Sequence, residues 1–350
     1  MACLKYYLSP DGQTRLKKLE DRVKKTHIRR IIFIGHSFSY FAAQIPYNFI
    51  NSHDSIPVPS PLHAPRQRKD CVIYETDHFL RYVNPQHFCA DTMFIVVTKL
   101  GSIQNLKALE KLQTLKVDPN NIGCVASKPE LEETLNPLSH FFPIKCSREE
   151  VAGSKTYVNT ILTLYFLSRV FMEEAPIPHN VEDDIRQLIF EIKFYGQDWD
   201  YHVSSLNDFL GTDYHFLYFI SKGASLSTAY QAALISKTNI RIFAEGINIG
   251  LFLHGPFQIV DENFRCILII GDETNFDDTV RLIKLVSSQL GSGKVILINN
   301  SRQLSSLGRA NENVWVFEHT TTNTYLAPIF EIIVLQFLVL DQALRRGVIE

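Results

Sequence analysis

No stretch of this chain reaches the roughly 18 unbroken apolar residues of a membrane-spanning helix. The opening segment, MACLKYYLSPDGQTRLKKLEDRVKK, also has no apolar core of the kind that marks a secretory signal. The expectation is a cytoplasmic protein with no membrane partner. Paired cysteine spacing is missing as well: the six cysteines, at 3, 71, 89, 124, 146 and 266, include no C-x-x-C. That argues against a zinc site and against a disulfide framework, so buried thiols are expected, with no metal and no cofactor. A strong charge of either sign is absent too. A formal net charge of -2 provides no electrostatic case for nucleic acid as a partner. The basic run Lys17, Lys18, Arg22, Lys24, Lys25, Arg29 and Arg30 alternates with acids and apolar residues and reads as the solvated face of a helix.

What is present is a repeated α/β grammar. At 350 residues the chain is long for one core and comfortable for two. Short apolar runs at 31–34, 71–74, 92–97, 122–126 and 143–146 alternate with helical patterns such as 105–115, and a long helix is expected over 154–171. The prolines of Glu173-Glu174-Ala175-Pro176-Ile177-Pro178 end it, because each disfavours helix in the residue before it. The domains are therefore set at 1–178, with an N-terminal helix, and 179–350. Beyond the boundary the pattern recurs: helices at 181–194 and 202–210, strands at 216–220, 241–244, 266–270, 294–299 and 314–317, and a last helix over 325–344. MFIVVTKLGSIQNLKALEKL in the first half answers CILIIGDETNFDDTVRLIKLV in the second. The expected fold class is α/β: two tandem domains, each a mainly parallel five-stranded sheet flanked by helices, a flavodoxin-like three-layer sandwich.

In such a sheet a ligand sits outside the carboxyl ends of the strands, where strand order reverses. The residues after the first and third strands are Gly35-His36-Ser37 and Thr98-Lys99-Leu100-Gly101-Ser102. Small hydroxyl residues beside free N–H groups cradle phosphate without strong positive charge. Ser37, Thr98, Gly101 and Ser102 are the candidates, against the plain alternative of strand-to-helix caps. In the second half, Ser221-Lys222-Gly223 follows a strand in the same way, and the turn Leu253-His254-Gly255-Pro256 holds an imidazole between backbone-punctuating residues.

The stretch from Ser221 to Pro256, with KGASLSTAYQAALISK followed by AEGINIGLFLHGP, resembles the second half of the isomerase domain of glucosamine-6-phosphate synthase and of fructosamine-6-phosphate deglycases. These are double sugar-isomerase (SIS) domain proteins, and the resemblance extends over nearly the whole chain. It implies a homodimer that binds a phosphorylated sugar or amino sugar. Ser37 matches the family's glycine-x-serine phosphate turn. In the second phosphate loop Thr98 and Gly101 match, Leu100 and Ile103 stand at hydroxyl positions, and Ser102 lies beside them as a substitute. Ser154, in Gly153-Ser154-Lys155, echoes a third element, with glycine where the family has serine. His78 stands where relatives carry a glutamate of the site wall, and Lys222 where they often carry a basic residue.

The same resemblance makes the chemistry the open question. His254 occupies the position of the ring-opening histidine, which in the family reaches a neighbouring subunit. Sixteen residues earlier, where the family carries its glutamate base, stands Thr238, which cannot serve as a carboxylate. A protein without the lysine-bearing C-terminal tail of the synthase type, and without an N-terminal glutamine amidotransferase or helix-turn-helix domain, is the expectation. Glu245 is the nearest carboxylate with a family counterpart. Two readings follow. One is a phosphosugar isomerase or deglycase whose base has moved, with Glu245 and His254 as catalytic residues. The other is a catalytically silent phosphosugar sensor that reports to a regulatory protein partner.

Overall fold

The computed structural model describes residues 2–53, 68–146, 154–272, 276–291 and 293–349. The chain divides into two compact units, Met1–His179 and Asn180–Glu350. In the first, β1 (Arg30–Gly35), β2 (Asp70–Glu75), β3 (Thr92–Val97), β4 (Ile122–Ala126) and β5 (His140–Pro143) form one sheet in the order β2-β1-β3-β4-β5. Every pairing is parallel. In the second, β6 (Phe216–Ser221), β7 (Phe243–Asn248), β8 (Arg265–Ile270), β9 (Lys294–Asn299) and β10 (Val314–Glu318) form the order β10-β9-β8-β6-β7, again wholly parallel. Read from the other edge this is the first sheet's order, so the sequence repeat is a repeat of topology.

Sheets of this kind are buried on both faces, which is why β3 and β4 have no exposed position and β3 is apolar throughout from Met93 to Val97. Alternate residues serve opposite faces. Ile32, Ile34, Phe94, Val96, Ile122 and Cys124 pack with Phe79, Ala108, Leu109 and Leu112. On the other face Phe33 meets Phe171 of the Ser154–Phe171 helix edge to face at 6.2 Å. The buried ammonium of Lys69 donates to the Phe171 carbonyl at 2.5 Å and to Glu173 at 2.7 Å, satisfying the carbonyl end of that helix. In the second unit Tyr218, Ile220, Cys266, Leu268, Val295 and Leu297 pack with Phe252, Leu282, Val286 and Leu304. On the other side the Ala327–Arg345 helix packs against both Trp199–Leu210 and Leu226–Asn239. By length and composition Ala327–Arg345 could cross a membrane, but 67% of its most apolar window is buried inside the unit. Each large apolar side chain so buried contributes about 1.5–3 kcal/mol.

Two strands differ from expectation, each for a backbone reason. β5 ends at Pro143 instead of starting there: proline has no N–H for the ladder and is tolerated at the limit of an edge strand. β7 starts at Phe243, not 241, because Arg241 sits in the left-handed region at φ 55 and belongs to the turn. The strand then runs on to Asn248.

Candidate functional site

In the first unit strand order reverses between β1 and β3. Their register pairs Gly35 with Val97, so His36 and Thr98 leave the sheet one strand spacing apart, about 4.8 Å. Gly35 is required here. A Cβ would stand 2.8 Å from the Ser39 carbonyl carbon and 2.9 Å from the Tyr40 nitrogen, because the short Phe38–Ala42 helix is pressed onto the strand end. Ser37 makes the turn at φ 54, ψ -126, a region costly for a residue with a Cβ, and its hydroxyl makes no cap bond.

The loop after β3 is closed on itself. Thr98, buried, accepts at Oγ1 from the N–H of Gly101 at 3.1 Å and of Ser102 at 3.4 Å. Ser102 caps the Ile103–Thr114 helix, its Oγ accepting from Asn105 N–H at 3.4 Å. Gly101 is left-handed at φ 77. Backbone donors that could meet an anion are thus partly spent within the loop, while the Ser102 hydroxyl proton remains at an exposed position. Leu100 and Ile103 flank it at 60% and 69% exposure. Ser154 is half-buried at the first turn of its helix, and its neighbour Gly153 lies outside the described residues.

His36 belongs to the Gly35-His36-Ser37 turn that the sequence marks as a ligand loop, without a chemical role of its own, and Glu75 is not marked in the sequence at all. Strands β1 and β2 are in register at Gly35 and Glu75, and His36 Nδ1 lies 2.6 Å from Glu75 Oε1. Glu75 Oε2 accepts the N–H of Asp77 at 2.7 Å and of His78 at 3.2 Å, capping the Thr76–Tyr82 helix. Burial pushes the Glu75 carboxyl up, but the His36 contact and these two N–H groups more than offset it and hold it below the usual range. His78 stacks on Tyr74 at 5.7 Å.

The second unit builds the equivalent place differently. After β6, Lys222 is half-buried, and Gly223, at φ 61, leaves 3.0 Å between its absent Cβ and Asp272 Oδ2. The hydroxyls that follow turn inward. Ser225 donates to Glu331 Oε1 at 2.7 Å and Thr228 to Oε2 at 2.8 Å. Glu331 has no solvent exposure. Burial pushes its carboxyl up to about 7, against the two hydroxyl donors and with help from the Asp272 charge. Two carboxyls and inward hydroxyls make a poor anion cradle. Glu331 was missed in the sequence, although a lone acid inside APIFEIIVLQFLVL signals a buried group that must find donors.

The remaining candidates stand apart. Thr238 is exposed, and its hydroxyl donates back to Leu234 and Ile235 carbonyls at 3.1 and 3.2 Å. Its helix starts past the carboxyl end of β6 and its 14 residues carry it some ~20 Å back, so Thr238 lies toward the amino ends of the strands. His254 is exposed after the carboxyl end of β7, beyond the Ile249–Leu253 helix, and is followed by Gly255 at φ 155. One unit therefore does not bring positions 238 and 254 together. Glu245 is exposed in the middle of edge strand β7, in register with Tyr218, and not at a strand's carboxyl end. Among the described residues no three His, Cys, Asp or Glu gather as metal ligands.

No family model matches the chain. It is 22% identical over 335 residues to glutamine–fructose-6-phosphate aminotransferase (isomerizing) 1 of Arabidopsis thaliana, covering 94% of this chain and 46% of the relative. The enzyme of the same name from Francisella tularensis is 21% identical over 352 residues, with 96% of this chain and 53% of the relative covered. The chain thus spans about half the length of these curated relatives. Among solved structures, the C-terminal domain of the glucosamine-fructose-6-phosphate aminotransferase from Francisella tularensis superposes with a TM-score of 0.76 at 18% identity, over 97% of this chain and 89% of that one. Tagatose-6-phosphate ketose/aldose isomerase from Escherichia coli does so with a TM-score of 0.70 at 14% identity, over 99% and 91%.

Proposed function

We propose, because the chain is a double SIS-domain protein, that its first unit binds the phosphate of a hexose or amino-sugar phosphate at the Gly35–Ser37 turn and the 98–102 loop. The observation that carries this is Ser37: a strained serine at the strand-order reversal whose hydroxyl makes no cap bond. Backbone strain persists where the surroundings over-determine it, and binding sites are where it collects. The exposed Ser102 hydroxyl and the start of the 12-residue Ile103–Thr114 helix complete the cradle. The second unit, with Asp272 and Glu331 at its reversal, is the weaker phosphate host. Ser154 stands as a further contact in the first unit from the start of its helix, and Lys222 as a contact to a sugar hydroxyl at the second unit's own, weaker site. A homodimer fits this reading, since positions 238 and 254 stand at opposite ends of one unit's strands, and so does a cytoplasmic setting.

Thermal stabilisation by fructose 6-phosphate, glucosamine 6-phosphate and 6-phosphofructosamines tests the reading, because a ligand that binds only the native state raises its melting temperature. Stabilisation that weakens at least tenfold in apparent affinity in Ser37→Ala supports it. No shift with any of these sugars overturns it.

A second reading, a silent sensor that reports the sugar phosphate to a protein partner, is favoured by Thr238. Its hydroxyl is spent on its own helix, and no acid or base stands at that position. Binding without conversion of the ligand over hours supports the sensor.

A further inference from the structure

The mid-strand placement of Glu245 and the hydroxyl at 238 leave the phosphosugar reading without a base at either position. The first unit holds a better candidate at its own reversal. Beside the proposed cradle, one residue before Ser37, His36 is clamped by Glu75 across adjacent parallel strands, Nδ1 to Oε1 at 2.6 Å. The clamp is rigid on the carboxylate side, because Oε2 is held by the Asp77 and His78 N–H groups at the start of a helix. An ionised carboxylate only accepts, so the proton of a neutral imidazole lies on Nδ1 and Nε2 carries a lone pair. Nε2 has no hydrogen-bond partner among the described residues, and the ring is 47% exposed. Imidazole, orienting carboxylate and open lone pair are the parts of a general base.

We propose that His36 is the catalytic base of an aldose–ketose proton transfer on the sugar phosphate, with Glu75 as its positioning residue. This rests on phosphosugar binding at the Ser37 turn. The substrate class is an open-chain sugar phosphate with a C–H between a hydroxyl and a carbonyl. Nε2 takes the proton from that carbon, and the C–H electrons become the C=C bond of an enediol while the former carbonyl oxygen gains a proton from water. The protonated imidazole returns its proton to the neighbouring carbon. The first carbon's hydroxyl gives its proton to water as its C=O forms. The carbonyl has moved by one carbon, and no oxidant or reductant is consumed. Ser37 and Ser102 hold the phosphate end, and His36 lies one strand spacing from Thr98, where the 98–102 loop begins.

The test uses the full chain in D2O with fructose 6-phosphate and glucose 6-phosphate, following deuterium entry at the carbons beside the carbonyl by proton NMR and binding by thermal shift. The wild type is expected to bind and to incorporate deuterium. His36→Gln should bind within about threefold of wild type while exchange falls by about 100-fold or more, the usual share of a general base. Glu75→Gln keeps an oxygen for the helix cap but can present an amide N–H to Nδ1. That moves the imidazole proton to Nε2, so exchange should fall with KM unchanged and the His36 nitrogen NMR shifts should invert. Glu75→Gln decides the matter if His36→Gln folds poorly. Binding without exchange in the wild type, or wild-type exchange rates in both variants, overturns the base. Absence of binding by any of these sugars overturns the phosphosugar reading itself, and the base with it.

Discussion

Ser225 Oγ donates to Glu331 Oε1 at 2.7 Å, joining the residue after one strand turn to a fully buried acid on a helix 106 positions away in sequence. Gly271 makes room for that pair: a Cβ there would stand 2.8 Å from Glu331 Oε1 and would meet the serine hydroxyl. The buried carboxyl has a measurable consequence.

Burial raises Glu331 from 4.5 unfolded to about 7 folded, so the folded state binds this proton more tightly. Its contribution is complete below pH 4.5 and is lost as pH rises through about 7, some ~3 kcal/mol in all. His319, lowered by burial from 6.5 to about 4 in the same unit, slopes the other way between those values. Wild-type protection of the Ala327–Arg345 amides from hydrogen exchange is therefore expected to stay level from pH 4.5 to 6.5 and to drop toward pH 7.5. Glu331→Gln should abolish the drop and expose the histidine's acid-side loss. An unchanged profile in the variant would mean that the carboxyl is ionised throughout.

His140 in the first unit is depressed from 6.5 to about 4, by burial first and by the Lys18 and Arg22 charges second, against its bond to the Asn120 carbonyl. A depressed base stabilises above its unfolded value, and that stability goes as pH falls from 6.5 through 4, about 3 kcal/mol. Urea unfolding followed by β3–β5 amide exchange should show this acid-side loss in the wild type. His140→Leu should show less than half of it.

Gly35→Ala drives a methyl into the Ser39–Tyr40 backbone, which cannot yield as a flexible side chain could. Overpacking of this kind costs about 1–3 kcal/mol. The melting temperature should fall by about 2–4 °C per kcal/mol, and sugar-phosphate stabilisation should weaken with the displaced turn.

Ser37→Gly separates strain from binding. Relief of a positive-φ serine yields about 1–3 kcal/mol, of which glycine's extra unfolded entropy removes about 0.5–1. The ligand-free protein should melt higher by a few degrees and bind sugar phosphate less tightly. Ser37→Ala, which keeps the strain, should leave the ligand-free melting temperature unchanged and lose affinity alike. Equal affinity in both variants and wild type would remove the serine from the site.

Much of this was readable along the chain. The runs at 92–97 and 122–126 coincide with β3 and β4, and the helix from Ser154 to Phe171 has its expected bounds, because strands buried on both faces must be continuously apolar and turns must carry the residues that allow them. His36-Ser37 and the 98–102 loop follow β1 and β3 as read, with Gly35 closing β1, since strand-then-small-residue is a local signal. The less legible points were set by backbone state. Arg241 entered a left-handed turn and delayed β7, and Pro143 closed β5 instead of opening it.

The sequence by itself determined element types, the tandem repeat and which loops carry hydroxyls, because hydrophobic period and turn chemistry act over a few residues. Only the tertiary structure decided what those side chains do. Parallel register joined His36 to Glu75 over 39 positions, helix packing turned Ser225 and Thr228 onto Glu331, and the 98–102 loop spent its own N–H groups on Thr98. Such pairings depend on strand order and on helix packing, because burying a polar group away from water is costly unless it finds a hydrogen-bond partner.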